Sequence, residues 1–325
     1  MTARQHHFVP QCYLKGFAKP RSKDGRLLVT DLARWKSYPA TPRKIAKQRD
    51  FNRVDIPGIA PDAIETALSS FETTVDGALF RTIEAENFVN DGDRRIILNL
   101  MALLHVRNPR FREARRRFQD ELSKMLLQAH VRSPEQWQAQ IDRMTKAGYP
   151  KPELPYEEIR DYVRRGEFDL NVSTTQHVKV ELQAFETVLT ALADRNWALW
   201  RAAPGSGGYI TTDHPVCLVW TDAEMAHKRL PVGLAHRRTQ VLFPLSKGLL
   251  MTGVREEFRE GVYGAPQHLV AMANSILIGF AEDQIYSADD QYMHLSGPTD
   301  ELLRGAELLK AYDRLWSDMN PTTPA

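Results

Sequence analysis

Between Pro61 and Leu127 apolar residues recur at helical spacing, and at one point the pattern carries a charge on its core face. A first helix is predicted to start at Pro61-Asp62, where proline suits a helix start, and to carry Ile64, Leu68, Phe71, Val75 and Leu79 down to about Ile83. A second opens near Asp91 to Asp93 and continues through Ile97, Leu100, Leu104, Arg107 and Phe111 toward Leu127. Arg107 occupies the apolar stripe, and burying an unpaired guanidinium is costly. It therefore needs a carboxylate, a carbonyl cage or an anionic ligand. Pro109 removes a backbone donor and is expected to kink the helix, freeing the carbonyl of His105 at the same place. Glu65, Glu72 and Asp76 share one stripe of the first helix, which is otherwise simply its wet edge, and Glu65 or Glu72 could pair with Arg107 in place of a ligand.

Helical pieces continue from Glu135 to Lys146, Tyr156 to Arg165 and about His177 to Arg195, with Pro150, Pro152 and Pro155 between them. The second half changes character. Trp197 to Arg201 and Tyr209 to Thr212 read as strands around a glycine-rich turn at 204–208, whose spacing suits a hairpin loop rather than a phosphate cradle. Further strands are expected to Trp220, at Val241 to Ser246 and at Leu249 to Thr252, then helical segments at Leu269 to Phe280 and Asp300 to Trp316. The expected class is α+β, with a helix-rich N-terminal half and an antiparallel sheet formed mainly by the second half and a strand at residues 26–32. One large domain spanning 1–325 with a helical insertion at about 130–176 is expected; the alternative is a helical lobe at 1–176 and a sheet lobe at 177–325.

The opening segment, Gln5 to Phe17, packs two imidazoles, a proline, two carboxamides and three aromatic rings into thirteen positions. Most chain starts are poorly ordered. This one is expected to fold back and present polar groups to a site. Only two cysteines, Cys12 and Cys217, occur among 325 residues, without CxxC or CxxH spacing, which argues against structural zinc and against a disulfide framework. A reducing compartment follows. With neither a secretory signal nor an apolar run of about eighteen residues, a cytoplasmic, unanchored chain is expected. The net charge of +2 hides an asymmetry: residues 1–53 carry thirteen Lys and Arg against three Asp. Such a lobe suits a nucleic-acid or nucleotide partner, or is a solvated surface without one; oligomeric state is left open.

The chain resembles a bacterial family catalogued as domain-of-unknown-function family 4238. The residues that carry the likeness are His6, His7, Pro10, Gln11, Tyr13 and Leu14, the glutamates Glu65 and Glu72, and the Arg-x-Pro pair Arg107 and Pro109. They continue with Thr212, Asp213 and Pro215, then Pro244, Leu245 and Ser246, and a late helical asparagine at Asn274. The likeness spans nearly the whole chain. It departs at Cys12, usually apolar or aromatic, at Leu103 or Leu104, often glutamine, and at His214, often asparagine. The resemblance supplies no reaction.

His6, His7, Gln11, Glu72, Arg107 and Asp213 are expected to converge, with His214 and Asn274 adding substrate contacts. The expected activity is hydrolysis of phosphodiesters. His6 or His7 serves as acid–base or metal ligand, Asp213 orients or ligates, and Arg107 meets the anion. Whether a divalent metal takes part is left open, since adjacent histidines in an extended segment face opposite ways and no HxH or HExxH spacing occurs. Cys12 lies near His7 but no nucleophile elbow accompanies it. The alternative is a non-enzymatic module that binds nucleic acid or a nucleotide.

Overall fold

The computed structural model describes residues 4–166, 168–169, 172–227, 232–296 and 301–310. Its class is α+β, helix-rich in the N-terminal half. The chain divides into two compact units, one of Met1–Asn108 with Thr174–Ala325 and one of Pro109–Ser173.

The first unit opens with strand β1 (Gln5–His7) and the short helix α1 (Gln11–Leu14). Strands β2 (Leu27–Asp31), β3 (Lys36–Ala40) and β4 (Lys47–Arg49) follow, then helices α2 (Ala63–Ala85) and α3 (Asp91–Val106). The second unit holds α4 (Pro109–His130), α5 (Pro134–Lys146) and α6 (Tyr156–Arg165) around Val131, Trp137 and Val163. The chain returns through α7 (Thr174–Ala193), β5 (Asn196–Ala202), β6 (Thr211–Thr212), β7 (Cys217–Trp220) and α8 (Ala223–His227). It ends with β8 (Thr239–Ser246), β9 (Leu249–Val254), β10 (Gly261–Ala265), α9 (Gln267–Phe280), β11 (Gln284–Ser287), β12 (Met293–Ser296) and β13 (Glu301–Arg304).

Two main sheets are built from these strands. One has the order β10-β5-β9-β8-β7, antiparallel except for the β10–β5 pair; the other is antiparallel, β3-β2-β11-β6. The strand read at residues 26–32 is β2. The glycine-rich segment at 204–208 was expected to be a hairpin loop, but β5 and β6 belong to different sheets and the segment crosses between them. A Cβ on Gly207 would lie 2.0 Å from the Gln291 carbonyl oxygen and one on Gly208 2.4 Å from that of Lys247, so backbone approach requires the glycines.

The expected kinked helix from residue 91 toward 127 is instead two helices. α3 ends at Val106 with Arg107 as its C-cap, and α4 begins at Pro109. Proline lacks an N–H and disfavours helical geometry in the residue before it, so Asn108 leaves the helix altogether. The helix expected from Asp300 to Trp316 starts later than expected: β13 at Glu301–Arg304 pairs with β12, a short 3-10 turn at Gly305–Glu307 follows, and residues 308–310 are helical, while residues 300 and 311–316 lie outside the described ones.

The opening segment is part of the core. Tyr13, Leu14 and Phe17 are fully buried, with the Tyr13 ring stacked 5.1 Å from Phe243. The Tyr13 hydroxyl donates to the Pro244 carbonyl at 2.7 Å and accepts from Thr211 at 2.7 Å, tying the chain start to β8 and β6. Cys12 and Cys217 are buried and unpaired. No helix among the described residues is long and apolar enough to cross a membrane.

Candidate functional site

β1 pairs antiparallel with β4, so the two histidines sit on a minimal two-stranded ribbon whose partner strand leads directly into Phe51 and Asn52. Side chains alternate across a strand. His6 turns inward, 2% exposed, and its Nδ1 accepts the backbone N–H of Asn52 at 2.9 Å. Asn52, fully buried, is the hub. Its Oδ1 accepts from Arg107 Nη2 at 2.8 Å, while its Nδ2 donates to Glu65 Oε2 at 2.5 Å. The Glu65 carboxylate lies 4.0 Å from His6 Nδ1.

Arg107 is buried, as its place on the apolar stripe predicts, and carbonyl contacts help to hold it. Besides the Asn52 bond, its Nη2 lies 3.5 Å from the His7 carbonyl, and its Cζ stands 5.8 Å from the centre of the Phe51 ring. Asn52 thus mediates between the guanidinium and Glu65, an arrangement that pairwise ion-pair reasoning did not include.

One turn pair further along α2, Glu72 is half-buried and its carboxyl is pushed up to about 7. Burial is the main cause; the negative charge of Glu65 adds to it, and Arg107 opposes it. This group changes protonation near neutral pH, which is what general acid–base work needs. His7 is held below its ordinary value, chiefly by burial and then by Lys47, with Glu65 opposing. Its imidazole is accordingly neutral at pH 7. Burial raises the Cys12 thiol far above its usual range, and the nearby Glu72 and Asp76 raise it further, so Cys12 is no thiolate nucleophile.

Asp213 has a different job from the one expected. Its carboxylate accepts three backbone N–H groups, from Glu282 at 2.9 Å, Asp283 at 2.7 Å and Gln284 at 2.9 Å, and so fixes the turn leading into β11. Burial nonetheless pushes this carboxyl up to about 6, the three N–H bonds opposing. Only its backbone reaches toward the cluster: the Asp213 carbonyl accepts from Asn108 Nδ2 at 3.1 Å, next to Arg107. A role in orienting a histidine is therefore corrected to a structural one.

Asn274 is likewise structural. Its Oδ1 accepts the Ile210 N–H at 3.1 Å and its Nδ2 donates to the carbonyls of Gly208 and Met293, which leaves no amide group for a substrate. His214 is buried with its ring 5.5 Å from Phe280 at the end of α9. Gln11 begins α1 and is half-buried.

The structure therefore brings together the side chains of His6, Arg107 and Glu65 around Asn52, with Glu72 near enough to feel Glu65 and Arg107, while His7 adds its backbone carbonyl and turns its imidazole to the opposite face of β1. The only sequence signal for Asn52 was its place at the end of the basic run. Among the described residues, no group of three or more His, Cys, Asp or Glu side chains is arranged to hold a metal ion. Much of the N-terminal positive charge is locally paired: Arg4 and Arg49 with Asp50, Lys15 with Asp76, Lys19 with Asp289, Arg21 with Glu84 and Arg43 with Asp24.

A family model described as "Protein of unknown function (DUF4238)" matches residues 5–291. No curated protein and no solved structure matches the chain.

Proposed function

We propose that this chain, which belongs to the DUF4238 family, is a cytoplasmic hydrolase of phosphodiesters that works by general acid–base catalysis. The observation that carries the reading is Glu72, a carboxyl poised at about 7 beside a second carboxylate and a buried guanidinium. In the deprotonated form Glu72 takes a proton from the water that attacks phosphorus, and returns it to the ester oxygen that departs as the phosphorus–oxygen bond breaks. His6, whose Nδ1 is occupied as an acceptor, presents its proton on Nε2 as the second acid–base group, and His7 gives its carbonyl to Arg107. Arg107 counters the charge that builds on the phosphoryl oxygens. Asn52 holds Arg107, Glu65 and His6 in register.

The test is turnover of labelled DNA, RNA, dinucleotides and an aryl phosphodiester by purified protein, with and without divalent cations, across pH 5 to 9. The expected rate rises through an apparent pKa near 7 and falls by about a hundredfold or more in Glu72→Gln. Absence of turnover on every phosphodiester, or a Glu72→Gln enzyme with the parent rate, overturns the reading. Binding without cleavage favours the non-enzymatic module instead.

A further inference from the structure

We infer that the polar cleft on the other side of β1 binds single-stranded nucleic acid, phosphates against its lysines and a base against its aromatic rim. The inference rests on the phosphodiester reading for the chemical class of the ligand and extends it to strandedness and to a binding place apart from the Glu72 cluster. The cleft has a volume of about 360 Å³ and is lined by Gln5 and Phe8 from the first strand, Arg34 and Tyr38 from the β2–β3 hairpin, and Lys44 and Lys47. His6 faces Asn52 and Glu65, whereas Gln5, one residue away, lines the cleft. The alternation of a strand puts the two on opposite faces.

Several basic side chains of the N-terminal third are paired with nearby carboxylates, whereas Lys44 and Lys47 are exposed and have no carboxylate at ion-pair distance among the described residues. Arg34 lies 3.8 Å from Asp31 with 69% of its side chain open to solvent. Arg34 and the two unpaired lysines thus line the cleft together with Asp213 and Asp283, and the lysines are where a backbone phosphate could meet it. Aromatic surface accompanies it: Trp35 is 41% exposed at the hairpin tip, and Tyr38 carries the Lys36 ammonium 5.7 Å from its ring centre. Cations that track a backbone, interleaved with rings that accept any base face, are how single strands are held without sequence preference. A duplex keeps its bases stacked inside and offers such a cleft only phosphates. Asp283 and Gln5 at the rim supply an acceptor and a carboxamide for base edges.

The experiment is fluorescence anisotropy of a short labelled oligothymidylate, its duplex and labelled heparin, using the full chain carrying Glu72→Gln so that nothing is cleaved. Tight binding of the single strand is expected, with a slope of log K against log salt of about −2 for three phosphate contacts. Lys44→Gln combined with Lys47→Gln is expected to reduce that slope by about 1.4, Lys47→Arg to keep it, and Trp35→Ala to weaken binding about tenfold. Equal affinity for duplex and single strand, an unchanged slope in the double variant, or heparin binding as tight as oligonucleotide binding with Trp35→Ala silent overturns the inference. The two readings fail separately. An oligonucleotide bound in this manner that the unsubstituted chain never cleaves removes the hydrolase alone, and a dinucleotide turned over without oligonucleotide binding removes the cleft alone.

Discussion

Replacing Glu72 by glutamine should stabilise the protein while disabling it, and the sign of the effect should depend on pH. The carboxyl titrates at about 7 in the folded chain against an ordinary 4.5, so the native state binds its proton more tightly than the unfolded state does. Between those values unfolding releases a proton. Stability is therefore highest on the acid side of this window and is lost as pH rises through about 7. A shift of this size corresponds to about 3 kcal/mol of stability forgone above pH 7, at 1.36 kcal/mol per pH unit. Glutamine is neutral and nearly isosteric, so it should match the protonated parent at about pH 4 and exceed the ionised parent by about 3 kcal/mol at pH 8. Urea unfolding followed by tryptophan fluorescence at both pH values measures this as a difference of differences, which cancels every other titrating group. A gap between variant and parent that is the same at both pH values, or a variant weaker than the parent at pH 8, refutes the argument. In either case the carboxyl would not be held in its neutral form by burial and by Glu65.

Two further expectations concern the frame around the site. Asp213→Ala leaves three backbone N–H groups without their acceptor, each worth about 1–3 kcal/mol when unmet, so a loss of about 3 kcal/mol or more is expected; hydrogen exchange at Glu282 to Gln284 should quicken well beyond that of the neighbouring β2 amides. Gly253→Ala places a methyl 2.6 Å from the fully buried Trp197 ring, and overpacking of this kind costs about 1–3 kcal/mol, visible as a lowered melting temperature with an altered near-ultraviolet tryptophan spectrum.

The long helices were legible because their apolar spacing is a local signal that survives any tertiary context. The same pattern identified Arg107 as buried, since a guanidinium on the core stripe has nowhere else to go. Asn52 carries no such signal: an asparagine after a basic run resembles any turn residue, and its value comes from bonds to residues thirteen and fifty-five positions away. Asp213 shows the converse. A carboxylate at a strand end reads as chemistry, but here it anchors the turn into β11, some seventy residues later, and no local pattern announces that partnership. Short strands such as β4, β10 and β12 were invisible for a related reason, being defined by pairing partners rather than by their own composition.

The backbone amide that meets His6 has a consequence for how the site can be watched. An amide N–H can only donate, so it fixes Nδ1 of that imidazole as the bare, pyridine-like nitrogen and leaves the hydrogen on Nε2 whenever the ring is neutral. Nitrogen-15 spectra of histidine separate these two kinds of ring nitrogen widely. His6 should report a single locked tautomer where a solvent-exposed histidine such as His268 averages over both, which makes this one resonance a built-in gauge of whether the 50–52 turn is in place.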